Sequence, residues 1–189
     1  MSAAWTELIV DVPDFPKPGV VFKDITPLLA SPAGFAAAAS ALAAAAPRDI
    51  DVVVGMEARG FIFAAPVALS IGAGFVPVRK PGKLPRPVAS AAYELEYGSE
   101  TLAVHADAIA PGARVLIVDD VLATGGTVAA TADLIRGLGG ELVHTLVLVE
   151  LAFLGARGRL AAQGVHPLTA LVRVASEGGP GVPVESATP

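Results

Sequence analysis

Arg114 to Thr127 reads R-V-L-I-V-D-D-V-L-A-T-G-G-T, and this stretch decides the fold. An apolar, β-branched run, Val115 to Val118, ends in two adjacent carboxylates, Asp119 and Asp120, then passes through Thr124-Gly125-Gly126-Thr127 into a helical pattern. That is a strand, a turn and a helix start, the repeating unit of an α/β sheet. In such sheets ligands sit beyond the carboxyl ends of the strands, so polar groups placed here face a crevice. Gly125 and Gly126 let the backbone approach a ligand and take positive φ, while Thr127 is placed to cap the helix that follows. Consecutive N–H groups at a helix start hold an anion without a positive side chain. The helix dipole adds only about 0.3 to 1 kcal/mol. Each charge-assisted hydrogen bond to a phosphate adds roughly 1.5 to 3 kcal/mol, so the loop amides and hydroxyls dominate. A phosphate is therefore expected on Ala123, Thr124, Gly125, Gly126 and Thr127.

The acidic pair narrows the ligand. Carboxylates beside a phosphate cradle repel the phosphate itself, so Asp119 and Asp120 must face sugar hydroxyls, which donate hydrogen bonds, or a divalent cation. A phosphorylated sugar satisfies both halves. Alone, an acidic pair at a strand end is often only a solvated turn, and a lone T-G-G-T is a weak signal; joined behind a buried strand they carry more.

V-L-I-V-D-D-V-L-A-T-G-G-T resembles the phosphoribosyl pyrophosphate (PRPP) binding motif of type I phosphoribosyltransferases, and the chain is most similar to their adenine-using branch from about Val10 to Val149. The resemblance implies an α/β fold with a central, mostly parallel sheet flanked by helices, an N-terminal hood and a flexible β-hairpin lid. With 189 residues and 53% hydrophobic content, one domain over residues 1–175 is expected, with residues 1–30 as the base-binding hood arm. The net charge of -5 argues against a broad nucleic-acid footprint. The absence of cysteine excludes a disulfide framework, a thiolate metal site and a cysteine nucleophile. The first residues lack the basic region and apolar core of a signal peptide, and Ala33 to Ala46 is shorter than the roughly 18 apolar residues a membrane span needs. A soluble cytoplasmic protein without a membrane partner is expected.

Trp5 to Val10 reads as a short helix, and Asp11 to Leu29 as an ordered loop whose four prolines forbid a regular helix or central strand across it. Composition alone makes this a surface arm. Its resemblance to the family's hood implies that Phe22 stacks on the purine while backbone groups of Val21 and Lys23 read the base edge. Lys23 stands where relatives often carry arginine. Ser31-Pro32 starts a helix that runs to about Ala46. Asp51 to Met56 is a buried strand followed by E-A-R-G-F-I-F and a helix to about Gly72, which repeats the geometry of the central stretch and sets Arg59 at the carboxyl edge of the sheet. The resemblance makes this the pyrophosphate loop, with Arg59 on pyrophosphate and Glu57-Ala58 as the candidate non-proline cis peptide.

Arg79 to Pro87 follows a short strand, Phe75 to Arg79, and carries four of the chain's thirteen basic residues among three prolines and a glycine. In an acidic protein that must neutralise a departing pyrophosphate, Arg79, Lys80 and Lys83 gain a chemical purpose. Ala91 to Tyr97 and Thr101 to Ala106 alternate like the strands of a hairpin. The resemblance makes that hairpin the lid, with Tyr97 shielding the reaction centre and Glu96 as acid or base at a purine nitrogen. His105 reads as a polar strand position. A helix from Thr127 to Leu138, a buried strand from Glu141 to Glu150, a short basic helix from Leu154 to Ala162 and a strand from Pro167 to Val174 complete the domain. Residues 176–189, rich in glycine and proline, read as a disordered tail.

These parts imply one reaction: adenine attacks the anomeric carbon of PRPP, giving AMP and pyrophosphate without a covalent enzyme intermediate. Arg59, Asp120, Glu96 and Tyr97 are its candidate catalytic residues. Mg²⁺ is the implied cofactor, held mainly by substrate and water with Asp119 or Asp120 as the nearest protein ligands. A homodimer is implied by the family. Two rivals remain open: a PRPP-binding regulatory protein without chemistry, and a transferase for another purine. A phosphotransfer enzyme or receiver has less support, because no Walker A motif is present.

Overall fold

The computed structural model describes residues 4–94 and 99–184. A 3₁₀ turn, Ala4–Leu8, leads into a two-stranded antiparallel ribbon of β1 (Val10–Val12) and β2 (Phe22–Asp24), then helices α1 (Thr26–Ala30) and α2 (Pro32–Ala44). β3 (Val52–Met56), α3 (Gly60–Ile71) and β4 (Gly74–Val78) follow, and then a hairpin of β5 (Val88–Glu94) and β6 (Ser99–His105). β7 (Arg114–Leu122), α4 (Gly126–Gly137), β8 (Glu141–Leu151), α5 (Ala156–Ala162), β9 (Leu168–Val174) and β10 (Gly181–Pro183) close the chain.

Six of these strands form one sheet in the order β10-β9-β8-β7-β3-β4, parallel throughout except for β10. The unbroken apolar run of β7 reflects burial on both faces, as a parallel sheet covered by helices requires. Successive residues point to opposite sides. Val115 and Ile117 pack with Val128, Leu134 and Ile135 of α4, whereas Leu116 and Val118 pack with Leu42 of α2 and Phe63 and Val67 of α3. Neighbours of β7 connect in opposite directions: β3 leads outward to β4, and β7 leads through α4 to β8 and β9. The carboxyl ends of β3 and β7 thus meet at the topological switch point, the crevice where open sheets bind ligands.

Local chemistry explains most element ends. Ser31 Oγ accepts from Gly34 N at 3.1 Å, and Pro32 occupies the first turn of α2, as the sequence predicts. A side-chain carbon at Gly34 of α2 would stand 2.6 Å from Leu8 Cδ1, so the Leu8 side chain would have to move to admit one.

Three expectations need correction. The hood is more regular than its prolines suggest: Pro13, Pro16 and Pro18 fall in the connection between β1 and β2, and Pro27 falls in the first turn of α1, where a missing N–H costs nothing. Thr127 does not cap α4; the cap position is Gly125 at φ 86°, with no side-chain bond to the helix start. The tail is not structureless from residue 176 onward, because Gly181–Pro183 pairs antiparallel with Val172, Arg173 and Val174 and extends the sheet. A three-residue edge strand rests on backbone bonds and leaves no alternation to read.

Candidate active site

Asp119 and Asp120 lie towards the carboxyl end of β7, buried to 9% and 4% exposure. Asp120 N donates to Asp119 Oδ1 at 2.9 Å, which orients the first carboxylate. Asp119 also explains Gly60: a side-chain carbon there would sit 2.6 Å from Asp119 Oδ1, so only glycine lets α3 begin this close to β7. Arg59 Nε stands 2.8 Å from Asp120 Oδ2. That approach is an ion pair without hydrogen-bond alignment, for Asp120 Oδ2 is buried and accepts no hydrogen bond among the described residues. A buried carboxylate oxygen in this condition is costly.

Burial raises the pKa of both acids above the ordinary aspartate range. For Asp119 the repulsion of Asp120 adds to burial, whereas Arg59 draws Asp120 partly back. A carboxyl whose folded pKa is raised stabilises the fold only while protonated, and the contribution is lost as pH rises from the unfolded value of 3.8 through the folded one. Asp119→Asn keeps the Oδ1 acceptor and removes the charge. Its melting temperature should equal that of the wild type near pH 4 and exceed it at pH 7; a lower value at pH 7, measured by calorimetry, would contradict a strained carboxylate.

Arg59 joins this acid to the hood. Its guanidinium carbon lies 5.1 Å from the centre of the Phe22 ring, within cation–π reach, and Phe22 is held edge-on by Phe15 at 5.2 Å. Val21 is half-buried beside it. The Lys23 side chain turns away from this space: it is 6% exposed, and Nζ donates to Asp11 Oδ1 at 2.6 Å and Gly179 O at 2.9 Å. Only the Lys23 backbone remains available to a base.

The loop after β3 is organised by a residue whose side-chain role the sequence did not reveal. Glu57, in a cis peptide with Ala58, accepts from Lys80 N at 2.9 Å and from Arg79 Nη2 at 3.1 Å. These bonds, the Lys80 amide first, hold the Glu57 carboxyl below its usual range. Arg79 Nη1 also donates to Lys83 O at 3.1 Å. Arg79 therefore shapes the basic loop from within, while Lys83 is exposed. Lys80 Nζ reaches Glu100 Oε1 at 3.2 Å, and Tyr93 OH donates to Glu100 Oε2 at 2.8 Å across the hairpin. Glu96 and Tyr97 lie outside the described residues.

On the other side of the crevice, Gly125 at φ 86° turns the chain into α4, whose first N–H groups face outward without helical partners. Three features thus converge at the switch point: the glycine turn into α4, an acidic pair with one oxygen that accepts no hydrogen bond among the described residues, and an arginine backed by an aromatic ring.

Residues 23–162 match the Phosphoribosyl transferase domain family. An adenine phosphoribosyltransferase from Cutibacterium acnes is 65% identical over 167 residues, which cover 88% of this chain and 94% of that relative. The chain belongs to the adenine phosphoribosyltransferase family. Solved adenine phosphoribosyltransferases share the fold: that of Thermoanaerobacter pseudethanolicus superposes with a TM-score of 0.85 at 47% identity, over 89% of this chain and 96% of its own. The Saccharomyces cerevisiae enzyme, solved with an imino-altritol bisphosphate and adenine, superposes with a TM-score of 0.81 at 38% identity, over 88% and 98% of the two chains. The matched region contains β7, the glycine turn, Arg59 and the basic loop, while Phe22, the ring beside Arg59, lies just before it.

Proposed function

We propose that the chain transfers the phosphoribosyl group of PRPP to adenine, forming AMP and releasing pyrophosphate, with the residues of the switch-point crevice in the following roles. The observation that carries this reading is the buried, unsatisfied Asp120 Oδ2 beside the αL glycine cradle. The 5'-phosphate sits on Ala123 to Thr127, where the N–H groups of α4 begin. Asp119 and Asp120 receive the ribose hydroxyls. Adenine takes the Phe22 face over which the Arg59 guanidinium now stands, with backbone groups of Val21 and Lys23 at its edge; Arg59 turns to the pyrophosphate. Lys80 and Lys83 add positive charge there, and Arg79 holds their loop in shape. Glu96 and Tyr97 complete the lid as acid or base and as shield.

No nucleophilic side chain is required. The bond to pyrophosphate breaks as positive charge grows on the ribose ring, so the protein contributes positioning and charge compensation. The residues fit magnesium: Asp120 Oδ2 is a hard oxygen that accepts no hydrogen bond among the described residues, Asp119 is adjacent, and substrate oxygens with water would supply the rest of the shell. When bound, magnesium supplies charge neutralisation on the departing pyrophosphate. A homodimer belongs to the same reading. Leu69 on α3 is 84% exposed and Phe75 on the edge strand β4 is 37% exposed, apolar side chains that a second copy would cover. So does a cytoplasmic location, where substrates too charged to cross a bilayer are found.

A purine panel with PRPP and Mg²⁺, following nucleotide formation, tests the reading. Adenine alone should turn over. Comparable rates with guanine or hypoxanthine would move the specificity. PRPP binding without turnover of any purine would favour a regulatory protein.

A further inference from the structure

Two arginines on α5 point to different tasks. Arg157 is a fold element: Nη2 donates to Glu150 Oε2 at 2.6 Å, Nε to Oε1 at 3.1 Å, and Nη1 to Leu168 O, clamping a carboxylate that is 2% exposed. Arg159, two residues on, meets no carboxylate among the described residues. Its Nη2 donates to Thr124 O at 3.0 Å and to Leu154 O at 2.8 Å. Thr124 is the residue before the αL glycine of the cradle.

The peptide between Thr124 and Gly125 is trans, so its C=O and N–H point in opposite directions. With the carbonyl drawn outward to Arg159, the Gly125 N–H is turned inward to the crevice. Among the described residues no group accepts from that N–H. The rest of α5 supports the same geometry: a side-chain carbon on Gly125 would meet Ala156 Cβ and Leu160 Cδ1 at 3.3 Å, so these two side chains back the loop from behind. At φ 86° the Gly125 backbone has little intrinsic preference between this orientation and a flipped peptide, because glycine populates both signs of φ. An external donor on the carbonyl removes that freedom.

We propose that Arg159 is a positioning residue for the 5'-phosphate: by holding the Thr124 carbonyl outward, it presets the Gly125 N–H as a phosphate donor. This rests on the assignment of Ala123 to Thr127 as the 5'-phosphate cradle. Arg159 acts through the loop, and its own guanidinium makes no substrate contact. Because the phosphate is bound alike in the ground and transition states, the cost of losing Arg159 belongs in KM rather than kcat.

The test uses the full chain with Arg159→Met and Arg159→Lys, titrated calorimetrically with ribose 5-phosphate and, separately, with pyrophosphate, alongside steady-state kinetics. Arg159→Met should weaken ribose 5-phosphate and raise the KM for PRPP by about tenfold, the worth of one preset charge-assisted hydrogen bond. Its kcat, its pyrophosphate affinity and its melting temperature should stay near those of the wild type. Arg159→Lys, which keeps a donor, should recover part of the loss. Equal weakening of both ligands, or unchanged ribose 5-phosphate affinity in the folded Arg159→Met protein, would overturn the proposal. A wild-type chain that binds pyrophosphate but no ribose 5-phosphate would overturn the cradle assignment itself, and this proposal with it.

Discussion

Asp120→Asn is expected to cut turnover by about a hundredfold or more while its melting temperature at pH 7 stays at or above that of the wild type. The two halves have one cause. Burial raises the Asp120 pKa, so at neutral pH the ionised carboxylate is held against its solvation preference. Its ion-pair partner Arg59 is 45% exposed along the side chain and returns to water without penalty when the charge is removed. An amide at position 120 therefore relieves strain in the fold. In the assigned role the same change removes the negative oxygen that receives ribose hydroxyls or magnesium, a contact that gains strength as the sugar becomes cationic. Stability lost together with activity would mark Asp120 as a fold residue, and activity within twofold of the wild type would remove it from the site. Steady-state kinetics and calorimetry on one preparation separate these outcomes.

The features behind this expectation were legible in the sequence only in part. The strand, the acidic pair and the glycine turn were legible because burial on both faces writes a continuous apolar run, and because a positive-φ turn at a strand end calls for glycine. The raised pKa values were not, since they depend on how closely α3 packs, which Gly60 permits. Glu57 was named only for its peptide bond; its partners, Arg79 and the Lys80 amide, lie more than 20 residues away, beyond any local pattern. Arg159 left no trace beyond a basic helix, because its partner in the cradle is a backbone carbonyl 35 residues earlier and carries no side-chain signature. The hood was legible through its resemblance to relatives and misjudged in its regularity: prolines exclude a long element, yet three-residue strands fit between them.

Truncation after Ala175 should lower the melting temperature by about 5–10 °C and raise the KM for adenine severalfold, leaving that for PRPP unchanged. From composition, residues 176–189 read as a disordered tail, whereas Gly181–Pro183 pairs with β9. The removed segment covers buried Val172 and Val174, where a side-chain carbon at Gly181 would already meet Val172 Cγ1 at 2.7 Å. It also supplies Gly179 O to the Lys23 ammonium at 2.9 Å and sets Gly178 against Val21, where a side-chain carbon would stand 3.6 Å from Cγ2. Val21 and Lys23 are the two hood residues assigned to the base edge by their backbones, so loosening their side chains should disturb adenine and spare the phosphate cradle on the far side of the crevice. Lys23→Met separates the contributions. In the full-length chain it removes a buried cation and leaves Asp11, 41% exposed along its side chain, to water; in the truncated chain no carbonyl contact remains to lose. Truncation should therefore cost less in the Lys23→Met background, by roughly the 1.5 to 3 kcal/mol of one hydrogen bond to a charged group. If the cost is the same in both backgrounds, the tail acts only as apolar cover for β9, and the adenine KM should then respond to Lys23→Met alone.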